Sequence, residues 1–268
     1  FIYTKLFFGS ASFFVLNGIL SMPVNVQAAA DTLTQSGSVS VEGSVVTQPV
    51  DPENPSIVVD PGQSPVTEGA LRIDYVSAFN FGESKITKSN RKYTALAQQF
   101  FSDTGPRGSY IQITDQQASS SGWTLQIKQE TQFQNPVIQE KEEQELKGAV
   151  LSIDKGWANS NSSSEAPTVT RETIALNSIG SAYEVATARK GSGKGVWTIA
   201  FGASDTNTSD QAHTLKPVMN AAGEPLIDRT YNKPVYSNSA ITLSVPESTV
   251  IHPVEYQTEI TWILAKLP

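Results

Sequence analysis

From about Ala70 onward, apolar and polar residues alternate with a period of two. Leu71, Ile73 and Tyr75 alternate with Arg72, Asp74 and Val76. Trp123, Leu125 and Ile127 alternate with Thr124, Gln126 and Lys128, and Ile241, Leu243 and Val245 with Thr242 and Ser244. Residues 110–114 form a short β-favouring run, and Ala149, Leu151, Ile153 and Trp197, Ile199, Phe201 mark two further apolar faces. The last alternation is the longest: Tyr256, Thr258, Ile260, Trp262 and Leu264 point one way, Gln257, Glu259 and Thr261 the other. Successive side chains of a strand point to opposite sides, so each run predicts a strand with one packed and one solvated face. Clusters of Ser, Asn and Gly at 159–164 and 191–195 separate the runs as turns. Many short strands punctuated in this way predict an all-β antiparallel sandwich or barrel over 70–268. Only residues 140–146 (EKEEQEL) have helical composition, and they read as a single helical turn or a solvated loop.

The chain before Ala70 follows other rules. Residues 1–30 carry one charge, Lys5, ahead of an apolar run that ends near Pro23, and Ala28-Ala29-Ala30 offers a small-residue cleavage site. That pattern predicts a signal peptide over 1–30. The competing reading, a membrane anchor, suffers from Gly9, Ser10, Ser12, Asn17 and Gly18, which interrupt the run below the ~20 residues of a span. Residues 31–69 hold five prolines and six acids but no Lys, Arg or aromatic residue. Such a stretch has little apolar surface to offset its chain entropy, and it predicts an extended acidic spacer.

Composition narrows the chemistry. The chain has no cysteine, only two histidines (His213 and His252) and a formal charge of −7. Disulfides and thiolate chemistry are excluded, histidine-based catalysis and zinc binding have little material, and a nucleic-acid partner lacks the basic face it requires. An exported chain without disulfides suits a Gram-positive bacterium. No pairing of acids or of nucleophile and base forms a recognisable constellation, so neither enzyme activity nor a cofactor is expected. Gly191-Ser192-Gly193-Lys194 lacks the phosphate-loop spacing and reads as a hairpin turn. Asp205 and Asp210 lack the spacing of a calcium loop and read as a solvated turn.

Two Trp-x-Leu motifs stand out: Trp123-Thr124-Leu125 after Ser121-Gly122, and Trp262-Ile263-Leu264 at the end of the last predicted strand. Leu71-Arg-Ile-Asp-Tyr-Val-Ser77, Leu146-Lys-Gly-Ala149, Gly195-Val-Trp-Thr198 and Ile241-Thr-Leu-Ser-Val-Pro246 flank them in order. In this order the segments resemble the WxL family of Gram-positive surface proteins, over about 70–268 plus the spacer and signal. Ile260 stands where the family more usually has Leu. The resemblance implies a secreted, non-catalytic protein held non-covalently on the cell wall, with peptidoglycan or another wall glycan as ligand. It also implies other WxL proteins and a membrane-anchored WxL-interacting protein as companions. The alternative is an adhesin or scaffold that binds host matrix, or that docks on the membrane-anchored partner instead of on glycan. The chain stops at Lys266-Leu267-Pro268 without a sortase-type motif, which agrees with non-covalent retention.

Trp123, Leu125, Trp262 and Leu264 have two readings. Large apolar residues at strand spacing normally face a core, which favours a structural role. The competing reading makes the two indoles platforms for wall glycan or a partner. Trp157 lies beside Gly156 and runs into a polar loop, where it reads either as an exposed contact or as a cap on the sandwich.

Overall fold

The computed structural model describes residues 30–32, 47–119 and 121–268. The predicted signal peptide and the first half of the predicted spacer fall, apart from residues 30–32, outside the described residues.

The first half of the chain contributes strands β1 (Ala30–Thr32), β2 (Leu71–Val76), β3 (Lys92–Leu96), β4 (Ser109–Asp115), β5 (Trp123–Gln129), β6 (Val150–Ile153), β7 (Gly156–Asn159) and β8 (Thr168–Val169). The second half contributes β9 (Ile174–Ala175), β10 (Ala182–Ala188), β11 (Gly195–Phe201), β12 (Leu215–Pro217), β13 (Ile227–Asp228), β14 (Lys233–Pro234), β15 (Tyr236–Ser244) and β16 (Ile260–Lys266). All strand pairs among the described residues are antiparallel. The fold is all-β, as the alternation predicts. Residues 140–146 form one 3₁₀ turn, at Lys141–Glu143.

Three sheets enclose one apolar core. The first has the order β1-β16-β5-β10-β8 and the second β2-β4-β11-β7. The third runs β12-β15-β6-β9, with β3 also paired to β15. Leu125 and Leu264 from the first sheet, Ile113 and Ile199 from the second, and Leu151 and Leu243 from the third meet in the same core. The turn at 189–194 is not a hairpin. It carries the chain from β10 in the first sheet to β11 in the second. Gly193 sits there at φ +70°, where a Cβ would come within 2.8 Å of the Trp123 indole nitrogen, so the close approach requires glycine.

The second sheet departs from the expected pattern of one wet face. All seven residues of β4 are buried. Ile111 and Ile113 face the main core, while Tyr110 belongs to a second cluster with Val59, Tyr75, Phe100 and Trp157. What covers this second face is the described part of the predicted spacer. Residues 47–61 lie across it as a strap, closed on itself by the backbone bonds Asp51 N–H to Ile57 O and Val59 N–H to Pro49 O, both 2.9 Å. Gln112 accepts from the Val50 N–H at 2.8 Å and donates to Gln48 O at 3.0 Å. Arg107 forks onto both carboxylate oxygens of Asp51, at 2.8 and 2.9 Å. The Glu53 carboxylate accepts from Ser204 N–H and Oγ–H at 2.7 and 2.6 Å. Composition measures only how much apolar surface a segment can bury. Here charge-assisted hydrogen bonds satisfy the acids, and Val59 supplies the apolar anchor.

Candidate functional site

The two Trp-x-Leu motifs lie on neighbouring strands. In the β5–β16 register Leu125 faces Leu264, Trp123 faces Lys266 and Trp262 faces Ile127. The antiparallel pairing therefore sets one Leu pair at the centre, with an indole on each side along the strands. Both indoles are in the core: Trp123 is 0 % exposed and Trp262 is 3 % exposed, and Leu125 and Leu264 are buried with them. The Trp123 N–H donates to Gly193 O at 3.1 Å, which fixes the sheet-to-sheet turn. The Trp262 ring stacks on Phe201 at 6.2 Å and meets Phe79 edge-on at 6.3 Å. These four residues hold the first sheet against the second.

Of the two readings of Trp157, burial removes the exposed contact and leaves the residue inside the sandwich. It belongs to β7, is 4 % exposed, and donates its N–H to Gly202 O at 3.0 Å. Pairing of β7 with β11 draws it inside, and the strap then closes over it beside Val59. Sequence composition around Gly156 carries no sign of that partner.

Trp262 also forms part of a cleft of about 460 Å³, within the roughly 300–1,000 Å³ usual for small-ligand sites. One wall is the end of the strap and the chain after it, 61–65. The loop after β2 forms another wall with Phe79 and Asn80, and Asp228 and Tyr231 of the β13–β14 hairpin also line it. The Tyr231 hydroxyl donates to Pro61 O at 2.9 Å and ties hairpin to strap. Its ring lies 4.6 Å from that of Phe101, which is 52 % exposed. The Tyr75 hydroxyl, pushed above its ordinary pKa by burial, donates to Gln98 Oε1 at 2.7 Å at the cleft wall. Among the described residues no Lys, Arg or His lines the cleft, and Asp228 carries the one formal charge of that lining.

Two polar clusters lie elsewhere. Asp74, under the strap, accepts from Arg72 Nε at 2.9 Å, from the Thr114 hydroxyl at 2.5 Å and from Gln112 Nε2 at 3.3 Å. Desolvation by burial outweighs these bonds and raises its pKa above the ordinary 3.8. In the second cluster the ligand atoms of Glu140, Glu143 and His252 lie within 4.8 Å of one another, and His252 Nε2 is 2.6 Å from Glu143 Oε2. The long chain separation between His252 and the 3₁₀ turn hid this grouping from any spacing argument. None of these groups forms a nucleophile–base pair, and the aromatic cleft lacks the paired acids of a hydrolytic site. The cleft presents ring faces and amide groups in one concavity, a chemistry suited to binding.

No curated protein and no solved structure matches the chain. The family model described as "WxL domain surface cell wall-binding" matches residues 28–268, which takes in both Trp-x-Leu strands, the strap and the cleft. The chain belongs to the WxL family of surface cell-wall-binding domains.

Proposed function

We propose that this protein attaches non-covalently to the peptidoglycan of a Gram-positive wall, without catalysis, as one subunit of a multiprotein surface complex. The family match over 28–268 carries the reading, because wall binding is the property by which that family is described. The buried motifs support a division of labour in which Trp123 and Trp262 maintain the sheets and other surfaces meet the wall. The partners that fit are further WxL proteins and a membrane-anchored WxL-interacting protein. Export by a signal peptide at 1–30 belongs to the same proposal.

The test adds purified protein to bare Gram-positive cells, followed by washes in buffer, salt, and chaotrope or boiling detergent. Many weak contacts made by a folded domain are lost when the domain unfolds. Release by chaotrope is expected, and retention after boiling in detergent would refute non-covalent attachment. Binding that appears only when a membrane-anchored companion is present would replace glycan recognition with docking on protein.

A further inference from the structure

Trp123, Leu125 and Leu264 of the family motifs are buried outside the cleft, and Trp262 reaches it only as a buried lining residue. The rest of the cleft over Trp262 has the chemistry to meet a ligand. From its lining we infer that it holds a neutral saccharide segment of a wall glycan, an inference that rests on the wall-attachment reading above. A sugar ring combines an apolar C–H face with a rim of hydroxyl groups and, in amino sugars, amides. Aromatic side chains match the face, and carboxamides, which donate and accept at once, match the rim.

Both partners are in place. Phe79 is half-buried in the wall of the cleft, and Tyr231, half-buried in the same lining, has its ring against the exposed Phe101. Phe79 and Tyr231 thus offer aromatic rings in the cleft lining, and Phe101 extends the ring pair at Tyr231 to solvent. Asn80 Oδ1 accepts the Gly82 N–H at 2.7 Å, and its amide nitrogen makes no hydrogen bond among the described residues. The exposed Gln63 side chain likewise has none. Asp228 Oδ1 accepts from Thr230 and Tyr231 N–H at 2.7 and 3.2 Å, while Oδ2 is left for a hydroxyl donor.

Charge selects among wall polymers. Phosphate-bearing chains need cations, which the lining lacks, and Asp228 repels them. A neutral glycan pays no such penalty, and its hydroxyls suit a lone carboxylate.

The experiment compares the purified wild type with Ala78→Leu and Tyr231→Ala. Ala78 is an exposed residue of the cleft lining and its side chain makes no hydrogen bond, so Leu adds bulk to the lining without removing a polar contact. Binding is measured to sacculi stripped of teichoic acid. Wild-type protein is also titrated with soluble β-1,4-linked N-acetylglucosamine oligomers and with a glycerol-phosphate polymer, followed by NMR. Both variants should bind sacculi about tenfold more weakly or worse, with the melting of Ala78→Leu unchanged. The sugar oligomers should shift signals of Tyr231 and Asn80 and leave the Trp123 indole unmoved. Wild-type affinity in both variants would overturn the cleft assignment while wall attachment stands. Should the wild type ignore sacculi, the attachment reading fails, and the oligomer titration then judges the cleft alone: absent shifts overturn it. Shifts produced by the phosphate polymer and not by the sugar would overturn the neutral-glycan assignment.

Discussion

Strands β5 and β4 are both seven residues long and both internal to their sheets, yet β5 keeps one face dry and β4 keeps both. Along β5 burial alternates without a break: Trp123, Leu125, Ile127 and Gln129 are buried, and Thr124, Gln126 and Lys128 are partly open. Along β4 no residue is open. The polar residues of β5 meet water, whereas Gln112 and Thr114 of β4 bond the strap and Asp74. Alternation therefore reports which side of a strand packs on the main core. It does not report whether a second layer of chain covers the other side. A polar face can be buried when its hydrogen bonds are completed, and here an acidic, proline-rich segment completes them.

The comparison makes the sharpest demand on the indoles of the first sheet. Trp123→Ala or Trp262→Ala should each cost about 3–5 kcal/mol of global stability, because each leaves a cavity between sheets. Urea unfolding measures this, and an unchanged midpoint for either variant would remove its motif from the core.

A smaller and local effect is expected under the strap. Arg107→Ala strips the partner from a carboxylate with 2 % side-chain exposure. The loss should be about 2–3 kcal/mol, because the strap can lift and let Asp51 rehydrate. Amide exchange should quicken at Asp51 and Val59 while the β5 and β16 amides stay protected. Loss of protection in both regions together would show that strap and first sheet unfold as one unit.

Smaller still is a pH effect confined to the second sheet. Asp74 has a raised folded pKa, so between 3.8 and that value the native state binds more protons than the unfolded chain. Its contribution is then most favourable below the unfolded pKa and falls as pH rises through the folded one. Lowering the pH below 4 should thus shift the stability difference between wild type and Asp74→Asn toward wild type. A difference that is flat with pH would mean that Asp74 titrates as an ordinary carboxylate.

The least change is expected from salt. Among the described residues the cleft has no cationic side chain, so wall binding should stay within about twofold up to ~0.3 M salt. A steep fall, measured by sacculus pull-down, would transfer recognition to a charged surface elsewhere.

Sequence alone determined the features that repeat at short range. The alternations around Trp123, Ile241 and Trp262 set strands β5, β15 and β16 and which of their faces enters the core, since side-chain direction in a strand follows from position parity. The two Trp-x-Leu motifs with their ordered flanks were enough to recognise the family. Tertiary structure decided whatever depended on a distant partner. Trp157 looks like a loop residue until β11 and the strap enclose it. Asp51 and Glu53 look like solvated spacer acids until Arg107 and Ser204 reach them from later in the chain. His252 joins Glu143 across 109 residues, and the cleft gathers its walls from the strap, the loop after β2, β16 and the β13–β14 hairpin. Periodicity is a property of neighbours in sequence, but burial of a polar group is settled by the donor or acceptor that the fold brings to it from far along the chain.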